Sequence, residues 1–468
     1  MLKRVRRQLL QTLKQRWLRY LIAILLYGLI FFLPLPDMAP AAQRTLAVFG
    51  VAVFLWGTNT LPLPVTGILI LLLLPATGAI PSKEIYSYFG SGAVFFILGA
   101  FILSSPIMRS GLSTRIALAV VSRFDQSQAM LLGSILGLSA LMSCFISAHA
   151  VAAMLFPIVL EVVRASGAKA GGKFSLAAFL SMAWGVVIGS NTTLLGGARG
   201  PLALGILQNT TGDEISFVQW TIWVFPLVLI LLALAFGLIR FLAQSETVSL
   251  QKARRFLERR NQKLGPISQR EITTSVLMLV TIFLWITRGS VWGLDTIALL
   301  AVSLAFILGI ADWQEVEEDV NWGIFVMYGS AIALSTALSN TGAAATLTEY
   351  LLNLGIGSPL VILAAIVLIA LMMTEFMSNA AAVAVLLPVG LALAQKYGID
   401  PRAMTLSVVV PAGLGFMLPV STPAIAIAVS SGYVRPSAIL RWGIWLDIIS
   451  WTLFLAMSQL YWPLVGLR

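Results

Sequence analysis

Apolar residues in this chain fall in blocks long enough to cross a bilayer core, which needs about twenty helical residues. Uninterrupted blocks lie at 17–35, 43–58, 61–79, 91–108, 218–242, 273–288, 293–310, 322–340 and 438–463. Two more, 174–207 and 403–431, are interrupted by glycine, proline and small polar residues. Together they predict about eleven crossings. Two further apolar stretches, 129–163 and 358–395, are each broken near the middle by a short polar motif. A continuous helix of that length would overshoot the bilayer, so each reads as a re-entrant hairpin that enters and leaves on one side. The predicted fold class is an all-α polytopic membrane protein with inverted repeats, two re-entrant hairpins and two interrupted spans.

The polar interruptions match between the halves. Phe145-Ile146-Ser147-Ala148-His149 is followed by Pro157, and Phe376-Met377-Ser378-Asn379-Ala380 by Pro388. Gly111-Leu112-Ser113-Thr114 before the first hairpin is echoed by Thr341-Gly342-Ala343-Ala344 before the second. After each hairpin comes a broken span, Gly189 to Pro201 in one half and Gly413 to Pro423 in the other. An odd number of crossings separates the two units, so they insert with opposite orientation, the pattern of a secondary transporter. The chain divides into an N-terminal segment and first span at 1–44, a first repeat at 45–242, a basic loop at 243–272 and a second repeat at 273–468.

Composition agrees with a membrane-embedded chain: 59% of residues are hydrophobic and 10% charged, too little polar surface to cover a water-soluble globule. The net charge of +11 is concentrated in Lys3, Arg4, Arg6, Arg7, Lys14, Arg16 and Arg19, and again in Lys252, Arg254, Arg255, Arg259, Arg260, Lys263 and Arg270. Both clusters abut apolar segments, so they mark the cytoplasmic face beside anionic lipid headgroups; nucleic acid is not implied. The protein is then expected to be integral to the cytoplasmic (inner or plasma) membrane, with the N-terminus in the cytoplasm and the C-terminus outside. The block at 17–35 is too long for a signal-peptide core and lacks a small-residue cleavage site, so it reads as a retained span. The stretch 251–262 reads as a connector able to form a surface amphipathic helix.

Cys144 and His149 are single representatives of their types, which excludes internal disulfides, thiolate clusters and a histidine zinc site. No paired acids or nucleophile and base stand together in the spans, so an enzyme is not expected. Helices stopped inside the membrane do offer chemistry. Their freed amides suit an anion, while freed carbonyls and Ser, Thr and Asn oxygens are hard ligands for a cation such as sodium. Arg199, inside an interrupted span, is a functional candidate because burying it is costly unless it is paired. It can meet a carboxylate or sulfate bidentately, and His149 can donate hydrogen bonds or carry a titratable charge.

At Ser147 to Pro157, and more closely at Thr374-Glu375-Phe376-Met377-Ser378-Asn379-Ala380 to Pro388, the sequence resembles the divalent anion:sodium symporter family of di- and tricarboxylate and sulfate carriers. Leu61-Pro62-Leu63-Pro64-Val65-Thr66, Gly415-Phe416-Met417-Leu418-Pro419-Val420-Ser421-Thr422-Pro423 and Gly432-Tyr433 before Leu440-Arg441-Trp442-Gly443 extend the likeness over roughly residues 45 to 465. The resemblance implies a homodimeric carrier with a scaffold and a transport domain that moves like an elevator. It also implies a sodium site in the second half built from Ser378, Asn379, Thr422 and carbonyls near Gly413. In the first half the family's tip asparagine and threonine are Ala148 and His149, and its Thr-Pro-Pro-Asn stretch is Gly197-Ala198-Arg199-Gly200. Cationic side chains thus stand where sodium would help neutralise a divalent anion.

The expected substrate site lies between the tips and the broken spans: Ser147, Ala148, His149, Thr193, Gly197 and Arg199 from the first half, and Ser378, Asn379, Ala380, Thr422 and Pro423 from the second. Glu375 is expected to orient its hairpin, with Glu161 and Asp447 structural. The reading is a secondary transporter of small divalent anions, sodium-coupled through one site, with no other cofactor. Two alternatives stay open: a sodium-independent exchanger in which Arg199 and His149 replace the sodium charge, and an anion channel or metalloid efflux permease.

Overall fold

A computed structural model describes residues 2–33, 38–352 and 358–467. Every regular element among them is helical. Among the described residues, eight helices are long and apolar enough to cross a membrane, and they include Phe217–Ala243, Gln269–Trp292 and Pro436–Leu460. Both of the first two begin with a capping box, Ser216 with Gln219 and Ser268 with Glu271, which satisfies backbone N–H groups that the first turn leaves free.

The order of helices repeats. In the first half Leu63–Ala76, Ser82–Ser87, Gly92–Arg109 and Leu112–Arg123 precede the first hairpin; in the second, Leu294–Ile307, Trp313–Asp319, Trp322–Asn340 and Ala343–Leu352 precede the second. The hairpins are Gln128–Ser143 with Ala148–Ala165, and Pro359–Phe376 with Asn379–Tyr397. The broken spans are Lys173–Gly189 with Arg199–Thr211, and Pro401–Val409 with Pro423–Ser430. The paired glycine motifs have a backbone cause. Gly111 (φ 87°) and Gly342 (φ 77°) both take the left-handed turn that starts the helix leading to each hairpin, a conformation that favours glycine.

Packing crosses between the halves. Leu63–Ala76 lies on Trp322–Asn340, and Leu294–Ile307 on Gly92–Arg109. Arg199–Thr211 rests on the outgoing arm of the second hairpin, while Pro423–Ser430 rests on Lys173–Gly189 and the outgoing arm of the first. Small residues permit the approach: a Cβ at Gly99 would come within 2.7 Å of the Ala298 Cβ.

Three expectations change in detail. The first helix runs Leu2–Phe32, so the apolar segment from 17 onward continues a helix already begun in the basic run before it. Leu, Gln, Lys and Arg are good helix formers, and neither glycine nor proline interrupts the basic run. The blocks at 61–79 and 293–310 carry helices of only 14 residues each, because Gly78 (φ 70°) and Gly309 (φ 67°) turn the chain just after them. The stretch around 251–262 is a helix, Leu250–Gln262, with Ala253 and Leu257 buried against the protein.

Candidate functional site

Each hairpin tip is laced to the broken span of its own half. In the first half the helix Gln128–Ser143 crosses Lys173–Gly189 closely enough that a Cβ at Gly185 or Gly189 would overlap the Leu136 or Ala140 backbone. Ser143 Oγ donates to the Val186 carbonyl (3.0 Å), and the Thr193 hydroxyl donates to the Cys144 carbonyl. Ser147 caps Ala148–Ala165 by accepting from the Ala150 N–H. Trp220, on Phe217–Ala243, donates its indole N–H to the Asn191 carbonyl (3.0 Å), satisfying one acceptor that the break would otherwise orphan.

The second half is laced more strongly. Thr374 Oγ1 lies 2.7 Å from both Asn379 Oδ1 and the Ala412 carbonyl, which joins the tip to the start of the break. The fully buried Glu375 carboxylate accepts the N–H groups of Phe416 (2.7 Å), Met417 (3.0 Å) and Leu418 (2.8 Å). Three consecutive amides without helix partners thereby gain a charged acceptor. Ser378 and Thr422 act as N-caps, accepting from Ala381 (3.2 Å) and Ile425 (3.4 Å). Asp447 is buried one turn from Gly443, which packs on the Phe416 backbone, and neither of its carboxylate oxygens has a hydrogen-bond partner among the described residues.

The two breaks meet in the interior. Arg199 is 6% exposed, and its guanidinium lies against Gly197 of its own break and Gly413 of the other. A Cβ at Gly413 would overlap the guanidinium, so glycine is required there for the fit. Nη2 of Arg199 donates to Ser190 Oγ (3.2 Å), and no carboxylate pairs with Arg199 among the described residues. Asn191 Nδ2 reaches the Gly413 carbonyl (3.5 Å). Nearby chemistry is unspent: Asn191 Oδ1, Thr192 Oγ1 and the fully buried Tyr328 hydroxyl have no hydrogen-bond partner among the described residues. A buried guanidinium with free donors and no acid partner among the described residues suits an anion, and the hard oxygen atoms beside it suit a cation.

The expected residues are therefore placed unevenly. Arg199, Gly197 and Gly413 come together, and Asn379 joins the same region through Thr374 and Ala412. Thr193 is buried and faces the first tip. Ala148, Ser378 and Ala380 are half-buried, while His149 and Pro423 are exposed. Thr422 opens a helix that leans on the first half. A small cleft between the first tip and Gly92–Arg109 is lined by Phe101, Ser104, Phe145, Ser147 and Gly197. A larger cavity of about 1120 Å³ lies away from the tips, bordered by Thr210, Ser335, Gln395, Lys396 and Arg402. Ser190, Asn191 and Thr374 lie within the broken-span and hairpin motifs but are not among the expected site residues, and Tyr328 lies outside every motif; Ser190 and Asn191 directly follow the helix-ending Gly189.

Comparison with known proteins gives this geometry a family. The sodium-dependent dicarboxylate transporter SdcS of Staphylococcus saprophyticus is 29% identical over 462 residues, covering 92% of this chain and 89% of the relative. SdcS of Staphylococcus aureus strain NCTC 8325 is 27% identical, covering 95% and 92%. In fold the chain is similar to the YdaH transporter of Alcanivorax borkumensis (TM-score 0.62, 14% identity, 87% of this chain and 99% of that one). Neisseria gonorrhoeae MtrF is comparable (TM-score 0.61, 13% identity, 87% and 96%). The model of the sodium:sulfate symporter transmembrane region matches residues 14–468, so the resemblance drawn from the hairpin motifs holds, an integral membrane transporter and not an enzyme is the outcome, and the chain belongs to that family.

Proposed function

We propose that this protein is a secondary active transporter that carries a small divalent anion, a di- or tricarboxylate or sulfate, coupled to sodium. The observation that carries the reading is the meeting of the two breaks at Arg199 and Gly413, beside two laced hairpin tips. In this reading the repeats at 45–242 and 273–468 insert with opposite orientation, and the protein works as a homodimer. The hairpins and broken spans form a unit that slides against a scaffold including Gly92–Arg109 and Trp322–Asn340. Anion charge is met by the Arg199 guanidinium and by N–H groups at the starts of the half-helices. Sodium is held by Asn379, Ser378, Thr422 and carbonyls around Gly413, hard oxygen donors of the kind such a cation takes. The names of the Staphylococcus relatives support both dicarboxylate and sodium.

A second reading has its own observation. Arg199 carries a fixed, buried positive charge with no acid partner among the described residues. That charge can stand in for sodium in the first half, giving an anion exchanger that returns loaded in both directions.

Uptake of labelled succinate, citrate and sulfate into proteoliposomes separates the two. Stimulation by an inward sodium gradient supports symport; stimulation only by internal unlabelled anion supports exchange. Uptake that neither saturates nor responds to either condition would instead mean a channel. Within the symport reading, Asn379→Ala is expected to raise the sodium concentration for half-maximal uptake roughly tenfold, the loss of one ligand worth about 1.4 kcal/mol. An unchanged sodium response would place the site elsewhere.

A further inference from the structure

The helix Leu250–Gln262 between the halves has three distinct faces. Ala253 and Leu257 form a buried seam against Ala148–Ala165 and Leu112–Arg123. Arg254 occupies a second face, paired with Glu258 (3.2 Å) and near the buried Asp125 (3.7 Å). The third is a stripe of Lys252, Arg255, Arg259 and the capping Lys263 at positions i, i+3, i+7 and i+11. Residues at that spacing share one side of a helix. All four are exposed, and none has an acid partner among the described residues.

The helix is held close to the membrane. It follows the candidate span Phe217–Ala243 and precedes Gln269–Trp292 by connections of a few residues. The first connection is fastened down: Gln128 Nε2 donates to the Glu246 carbonyl (2.8 Å), and Glu246 Oε2 accepts the Phe174 N–H (2.9 Å). The second is gripped by Arg115, which donates to the carbonyls of Leu264, Gly265 and Pro266 and to Glu271. These bonds tie one end to the start of the first hairpin and first broken span, and the other to Leu112–Arg123 and the next span.

We propose that the Lys252, Arg255, Arg259 and Lys263 stripe docks on anionic phospholipid headgroups and thereby restrains the first hairpin. Polybasic segments beside a span are drawn to anionic lipid, and the attraction falls off within a Debye length. Short tethers keep the stripe within that range, whereas an acidic soluble partner would have no such reason to be favoured. The docking stands apart from the transport reading; its effect on rate rests on it.

The test uses the full chain carrying Gln262→Cys labelled with an environment-sensitive fluorophore, with the wild type, whose only cysteine is the buried Cys144, as the labelling control. In vesicles of phosphatidylcholine with phosphatidylglycerol, the emission is expected to shift to the blue relative to phosphatidylcholine alone. The shift should vanish at about 1 M potassium chloride, where the Debye length is about 3 Å. It should also vanish when Lys252, Arg255, Arg259 and Lys263 are all changed to Gln. Anion uptake should be several-fold slower in the anionic vesicles for the wild type and insensitive to lipid charge in the quadruple variant. No shift, or an equal shift in both lipids, overturns the docking, as does a shift produced only by a soluble acidic polymer. A normal shift with uptake indifferent to lipid charge overturns the restraint. A normal shift with no uptake of any anion supports the docking and counts against the transport reading instead.

Discussion

Arg199→Ala is expected to lower anion uptake roughly 30- to 150-fold while the protein remains folded and monodisperse. A charge-assisted, desolvated contact between guanidinium and anion is worth about 2–3 kcal/mol, which converts to that range. The fold should survive because, among the described residues, Arg199 makes one hydrogen bond, to Ser190, and no ion pair, so removing it leaves no acid there uncompensated. Two companion variants sharpen the result. Arg199→Lys keeps the charge but loses the planar fork, so it should recover part of the uptake. Gly413→Val leaves the arginine in place but puts a side chain where the guanidinium lies, and should reproduce most of the alanine defect. Wild-type uptake in Arg199→Ala would remove the residue from the site; loss in Arg199→Ala with full activity in Gly413→Val would mean that the observed rotamer is not the working one.

The second large effect concerns stability. Glu375→Ala is expected to destabilise the protein by about 3 kcal/mol or more, because it strands the amides of Phe416, Met417 and Leu418 inside the protein, each unsatisfied donor costing roughly 1–3 kcal/mol. Glu375→Gln should be milder but still damaging, since its NH2 group would confront amide donors. Asp447 gives the contrast. It is also buried but has no hydrogen-bond partner among the described residues, so Asp447→Asn removes an unpaired ionisable carboxyl without breaking a bond. That variant is expected to melt at or above the wild-type temperature in detergent. If Glu375→Ala and Asp447→Asn shifted the melting point alike, the carboxylate clamp would not be what fixes the second break.

Hairpins and breaks were readable because each interrupts an apolar block with residues that stop helices. Ser147 and Ser378, each ten residues before a proline, mark the tips in sequence and are the N-caps of the outgoing arms in space. Left-handed Gly111 and Gly342 were visible as matched motifs for the same reason: one backbone geometry is needed twice. What could not be read is contact over distance. Glu375 meets amides some forty residues later, and Arg199 meets Gly413 more than two hundred residues away. Neither pairing leaves a periodicity or a spacing. Helix length was misjudged where apolar composition outruns the helix, as at Leu63–Ala76, since hydropathy does not register the glycine turn that ends it. Tyr328 was hidden in an ordinary apolar span; only its lack of a hydrogen-bond partner among the described residues singles it out.

The exchange of post-break helices between halves has a consequence for biosynthesis. Arg199–Thr211 is made long before Trp322–Asn340 and Asn379–Tyr397, two of the surfaces that cover it. Until they emerge, a nascent chain must shelter an arginine-bearing helix with lipid, water or the translocation machinery. A ribosome stalled in the linker should therefore yield a first half that is inserted yet unfinished, recognisable to membrane proteases, and rescued when the second half is supplied as a separate chain.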